Sequence, residues 1–173
     1  HMDVARIFNA GAATKTPLNR MLRDYASVSI CFSKGLGAPV GSVLVGSHSF
    51  IARAHRWRKM FGGGMRQSGF LAAACLHAID HHVDRLSDDH RRAKTIAKAI
   101  NQLDDFEVKM DTVETNMVYF ESKAPALEVM EGLRRMNIDV LDVNPNVCRI
   151  VVHLHVTVED VEHIIEAFSS LES

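Results

Sequence analysis

Hydrophobic and polar positions change rhythm along this chain, and the changes predict its elements. Val28 to Ser33 (VSICFS) is a short run rich in β-branched and apolar residues, the pattern of a buried strand. Gly35-Leu36-Gly37-Ala38-Pro39 breaks it, and Ser42 to Gly46 predicts a second strand. Phe50 to Met60 reads as a basic helix ended by Gly62-Gly63-Gly64. Gln67 to Val83 carries Phe70, Leu71, Ala74, Cys75, Ala78 and Ile79 at helical spacing, which predicts a helix with one apolar face. Asp88 to Leu103 repeats the spacing through Ala93, Ile96, Ala97, Ile100 and Leu103.

Beyond that point the elements shorten. Asn116 to Phe120 predicts a strand, Ala126 to Met136 a helix, and Val140 to Val143 and Val147 to Leu154 two more strands. The last helix has a defined start, with Thr157 as N-cap and Asp160 near the positive helix end. Val161, Ile164, Ile165, Phe168 and Leu171 form its apolar stripe. The alternation of strands and helices is that of an α/β protein. It divides near residue 88, into a first part (1–87) of strand edges, loops and glycines and a small α/β domain (88–173).

Composition narrows the function classes. With 47% hydrophobic and 24% charged residues, the chain has the balance of a soluble globular protein with room for one sizeable core or two small ones. Twenty Lys plus Arg against twenty-one Asp plus Glu give no long-range attraction to nucleic acid or to an anionic membrane. No apolar run has the length of a membrane span, and the N-terminus lacks the pattern of a secretory signal. Cys31, Cys75 and Cys148 are widely spaced and odd in number, which argues against a disulfide framework and for a reducing, cytoplasmic setting. The opening His1-Met2-Asp3-Val4-Ala5-Arg6 reads as a cloning remnant or as the cut edge of a longer parent.

Candidate chemistry centres on Ser33-Lys34-Gly35-Leu36-Gly37. Burial of a lysine at the end of an apolar strand disfavours its ammonium, and a neutral amine can attack an aldehyde to form a Schiff base. The glycines let the backbone approach a planar ligand. A solvent-facing strand-end lysine is the ordinary alternative. Asp3 stands 31 residues earlier, on what reads as the tail of another strand. If both strands run parallel in one sheet, their C-terminal ends open on the same crevice, where α/β sheets bind ligands.

The segments HMDVAR, SVSICFSKGLGAPVGSVLVG and WRKMFGGGMRQSG, in this order and spacing, resemble the L-threonine aldolases of the low-specificity type. These are pyridoxal-phosphate enzymes of the aspartate-aminotransferase-like fold. The resemblance continues through Asn116-Met117 and Cys148-Arg149-Ile150-Val151-Val152-His153 to the last helix. It covers essentially the whole chain, but only the later half of a family member. The fold it implies is α/β: the end of the large mixed-sheet, cofactor-binding domain (1–87) followed by a small C-terminal subdomain (88–173).

Position by position, the resemblance implies that Lys34 is the Schiff-base lysine and Asp3 the partner of the pyridine nitrogen of pyridoxal 5'-phosphate. Such a carboxylate keeps the ring protonated and makes it a better electron sink. Arg6 is implied near the cofactor's phenolic oxygen and the substrate carboxylate, and Arg149 as the main carboxylate clamp, a task suited to a forked guanidinium. Lys59 and Arg66, which flank the triple glycine, are implied near the cofactor phosphate and a subunit interface; a solvated basic helix end is the alternative. The family has glycine where this chain has Val4, and a β-branched residue beside Asp3 puts cofactor seating in question.

Ten histidines add little to this picture. His77 and His81 form an i, i+4 pair on one helix, without the HExxH order or a distant further ligand, so no metal is expected.

The expected activity is cleavage of threonine or allo-threonine to glycine and acetaldehyde by a homodimer or homotetramer, with no nucleic acid or membrane as partner. Two alternatives stay open. One is a non-catalytic fragment or interaction module; the other is a different pyridoxal-phosphate reaction on the same fold, such as racemisation, β-elimination or transamination.

Overall fold

The computed structural model describes residues 1–171, so the expected second domain is described to residue 171 and its last two positions lie outside the described residues. The chain forms two compact units, His1–Leu86 and Ser87–Ser173.

The first unit holds a three-stranded mixed sheet in the order β1 (Met2–Val4), β2 (Ser27–Cys31) and β3 (Ser42–Gly46). β1 runs parallel to β2, and β3 antiparallel to it. Alternation along β2 sends Val28 and Ile30 into a core with Ile7, Phe32, Leu36, Ala38, Ala78 and Leu86. Helix α1 (Ile7–Thr14) was not foreshadowed by the hydrophobic pattern: it is short, and Arg6 at its N-cap position offers no side-chain oxygen to the helix. It ends where Lys15 turns left-handed, at a φ of 53°. A single turn, α2 (Leu18–Met21), follows.

Two long helices complete the unit. α3 (His48–Met60) starts two residues before the apolar pattern suggested, because the Ser47 hydroxyl accepts the Phe50 N–H at 3.3 Å and so caps it. α4 (Gly69–His82) starts later than expected, after Gln67 at a φ of 52°. Its apolar face is largely uncovered: Ala78 is its one buried residue among those described, and Phe70 is 86% exposed. Periodicity marks a helix, but the partner that would cover its stripe has to come from elsewhere.

In the second unit, α5 (Leu86–Ile100) begins at the division and is followed by an antiparallel sheet. Its strands are β4 (Phe106–Val108), β5 (Met117–Ser122), β6 (Leu141–Asn144) and β7 (Val147–Val151), in the order β4-β5-β7-β6. Val118 and Phe120 of β5 and Cys148 and Ile150 of β7 face a core that α5, α6 (Ala126–Arg135) and α7 (Val158–Leu171) close. At its centre Phe106, Phe120 and Phe168 meet edge to face, with ring centroids 5.1 to 5.8 Å apart. The expected start of α7 is present as a reciprocal cap: Thr157 Oγ1 accepts the Asp160 N–H at 3.1 Å, and Asp160 Oδ2 accepts the Thr157 N–H at 2.8 Å.

β7 stops at Val151, short of the expected Leu154. His153 and His155 therefore lie beyond the strand. The chain turns, the His155 N–H reaches His153 Nδ1 at 3.3 Å, and the two rings sit 5.6 Å apart. Among the described residues, no helix is long and apolar enough to cross a membrane.

The phenylalanine triad sets the stability of the second unit. Phe168→Ala leaves a cavity among two other rings, and is expected to lower unfolding free energy by about 3–5 kcal/mol, read from the urea midpoint of the far-ultraviolet signal.

Candidate active site

The parallel pairing of β1 with β2 places the candidate residues. Asp3 aligns with Ser29, and Ser29 in turn with Leu44 of β3; Cys31 aligns with Ser42. Aligned residues share a face, and so do residues two apart on one strand. Asp3, Ser29 and Cys31 therefore lie on one face of the sheet, while Met2, Val4, Val28 and Ile30 lie on the other, toward the core. Asp3 is exposed. This answers the concern over Val4: its bulk packs against the core, on the side of the sheet away from Asp3.

Because β1 and β2 run the same way, Arg6 and Lys34 leave the sheet at the same end. Arg6 sits two residues past β1, at the start of α1, and Lys34 three residues past β2, exposed in a turn. The turn is closed by the Gly37 N–H donating to the Lys34 carbonyl at 2.8 Å and the Ala38 N–H donating to the Phe32 carbonyl at 3.1 Å. Gly37 has a φ of 72°, which explains glycine at that position. At Gly35 a side chain would press on Asn9 Nδ2, 3.4 Å from the added carbon.

Cys31 ties the lysine to the Asp3 face. Burial alone would raise its thiol pKa, but hydrogen bonding to the Ser33 side chain and backbone and the positive charge of Lys34 bring it below the ordinary value. The Sγ lies 3.5 Å from Ser33 Oγ. Strand rise and spacing put the Asp3 and Cys31 α-carbons about 8 Å apart. An acid and an amine thus flank one open patch of sheet. Cys31, Ser33 and Asn9 were not singled out as site residues from the sequence; the alternation of β2 was the one signal that placed Cys31 beside the lysine.

Lys59 and Arg66 are exposed at the end of α3 and in the turn beyond it. Gly62, at a φ of 82°, reverses the chain there. The Lys59 side chain lies over Gly64, where an added carbon would come 2.7 Å from its Cδ. Among the described residues no contact joins this pair to Asp3 or Lys34.

Arg149 belongs to the second unit. It occupies the centre of β7, between Tyr119 of β5 and Leu141 of β6, on the sheet face opposite the core. Its Nε is buried without a hydrogen-bond partner, and so is that of Arg6. A buried guanidinium N–H calls for an acceptor, and both arginines are those expected to hold an anion. His77 and His81 approach with ring centroids 4.4 Å apart, and no group of three His, Cys, Asp or Glu able to hold a metal occurs among the described residues.

Solved structures show the same fold. That of the Leishmania major threonine aldolase superposes with a TM-score of 0.79 at 16% identity, over 99% of this chain and 51% of that one. Sequence likeness is closer. Low-specificity L-threonine aldolase 1 of Arabidopsis thaliana is 41% identical over 172 residues, covering 97% of this chain and 48% of that protein. The low specificity L-threonine aldolase of Escherichia coli strain K12 is 42% identical over 167 residues, covering 95% and 48%. The chain spans about half the length of these curated relatives.

Over about half of their length, the threonine aldolase structures share the α/β fold of this chain. Residues 1–123 match the family described as Beta-eliminating lyase, and the chain belongs to it. The cofactor that goes with the family is pyridoxal phosphate. The first unit's residues fit that group: it carries a primary amine at Lys34, a carboxylate at Asp3 and an orphaned Nε at Arg6, on or just beyond two strands that run parallel.

The link between Cys31 and Lys34 is testable by alkylation. Lys34→Met is expected to raise the Cys31 pKa, so that iodoacetamide labelling of the Cys31 peptide, followed against pH by mass spectrometry, shifts to higher pH. An unchanged profile means that the lysine charge does not reach the thiol.

Proposed function

We propose that the complete protein is an aldehyde-lyase that cleaves L-threonine and L-allo-threonine to glycine and acetaldehyde. The observation that supports this reading is the parallel pairing of the Asp3 strand with the strand that leads into the Lys34 turn; the relatives' names supply the substrate class.

When bound, pyridoxal phosphate supplies the electron sink that takes up the electrons of the breaking Cα–Cβ bond. Lys34 would hold the cofactor through its amine. Asp3 would hold the pyridine nitrogen in its protonated form. Arg6, with an unpartnered Nε–H, would serve the phenolic oxygen and a carboxylate, and Arg149, which has its own unpartnered Nε–H in the second unit, would be a carboxylate clamp. Lys59 and Arg66 bring positive charge to the phosphate. Fixing the carboxylate and amino groups aligns the breaking bond with the ring, which is the protein's main contribution to rate.

The first unit also leaves a large apolar surface. Trp57, Met60, Phe61, Met65, Phe70 and Leu76 are each more than half exposed. That is more than a free surface tolerates, and we assign its covering to the preceding half of the complete protein and to a second subunit, in a homodimer or homotetramer. Three unpaired cysteines suit a cytoplasmic setting.

Incubation of the full-length protein with pyridoxal phosphate and borohydride is expected to fix a reduced adduct on the Lys34 peptide, and threonine to yield glycine and acetaldehyde. Lys34→Ala should abolish both, and Asp3→Asn should lower turnover by about a hundredfold or more. Deamination of the substrate without acetaldehyde would point instead to β-elimination, and an adduct on another lysine would end the assignment.

For the assembly, Phe61→Asp with Phe70→Asp is expected to shift sedimentation of the full-length protein toward smaller species. An unchanged profile would place the subunit contact elsewhere.

A further inference from the structure

The turn that bears Lys34 is shaped from within but must be held from without. Its two backbone bonds, Gly37 to Lys34 and Ala38 to Phe32, set its curvature and do not fix where it lies. Burial of Leu36 and Ala38 gives an apolar footing. A polar tie comes from α4: His82, its last residue, places Nδ1 2.6 Å from the Leu36 carbonyl, 46 residues away in the chain. A carbonyl can only accept, so Nδ1 carries the proton and donates it. The ring is half-buried and packs edge-on to His77, centroids 5.2 Å apart, which limits its rotation.

We propose that His82 is a positioning residue: through the Leu36 carbonyl it fixes the Lys34 turn in place against the Asp3 strand. The proposal rests on the assignment of Lys34 as the cofactor-bearing lysine. Leu36 lies two residues from Lys34, so displacement of its peptide is passed along the turn to the lysine Cα. Gly35, between them, is buried near Asn9 of α1, the helix that Arg6 begins. The lysine turn thus has α1 as a neighbour and a hydrogen bond from α4. A cofactor gripped at one end by an amine and at the other by a carboxylate binds well only when the separation of those groups is set in advance, and misplacement by about 1 Å can cost a hundredfold. Nothing in the sequence spacing pointed to His82, because its role depends on a backbone oxygen.

The test uses the full-length protein and three substitutions. His82→Leu keeps bulk and removes the donor. His82→Asn keeps an N–H at the position of Nδ1, and His82→Gln moves it one bond outward. The expected result for Leu is about tenfold weaker binding of pyridoxal phosphate, the loss of one buried hydrogen bond, with a diminished visible circular-dichroism band of the bound cofactor. Asn is expected to restore both toward wild type, and Gln to fall between. A purely structural role would lower the melting temperature of the cofactor-free protein and leave affinity and the dichroic band of the folded fraction unchanged. That result would overturn the proposal, as would an Asn variant no better than Leu. If Leu does not fold, the contrast between Asn and Gln decides alone, equal behaviour counting against. Borohydride trapping on wild type separates the two claims: an adduct on another lysine defeats the Lys34 assignment, whereas an adduct on Lys34 with unaffected His82 variants defeats the positioning role only.

Discussion

The parallel pairing of Met2–Val4 with Ser27–Cys31 is the constraint from which the candidate site follows. Only three residues of β1 take part. A parallel ladder makes two strands finish at the same edge, so that whatever follows each of them meets there. Arg6 and Lys34 share an edge for this reason, and Asp3 shares a face with Cys31 because Asp3 pairs with Ser29. A slip of one residue in that register would turn Asp3 into the core and bring Val4 out in its place.

Electrostatics at this edge are local. Overall charge is close to balanced, so no broad field draws an anion in. Any selectivity for an anion there has to come from individual cations, each aimed by its own element: Arg6 by the start of α1 and Lys34 by a glycine turn. The Cys31 thiol beside them is lowered chiefly by hydrogen bonds to Ser33, with the Lys34 charge adding to it.

Much of the second unit was legible from sequence because its elements bury their own stripes. β5 alternates cleanly, and the α7 stripe and its Thr157 cap sit where the pattern put them. Elements whose boundaries depend on backbone geometry were less legible. β7 ends early because the chain turns at His153, and α4 starts late because Gln67 is left-handed. The short helix after Arg6 lacked both a cap and a full apolar stripe. In the candidate site, Lys34 and Asp3 stood out by strand-end position and by resemblance, but the face that Asp3 shares with Cys31 is a matter of register, which no single segment encodes. His82 acts on a carbonyl, a group every residue has, and was invisible for that reason.

The two cores of the chain, one around Ile30 and Phe32 and the other around the phenylalanine triad, consist of separate sets of residues. Each core can therefore be loosened by itself: truncating a ring of the phenylalanine triad acts on one set of packed residues, and truncating Ile30 or Phe32 on another.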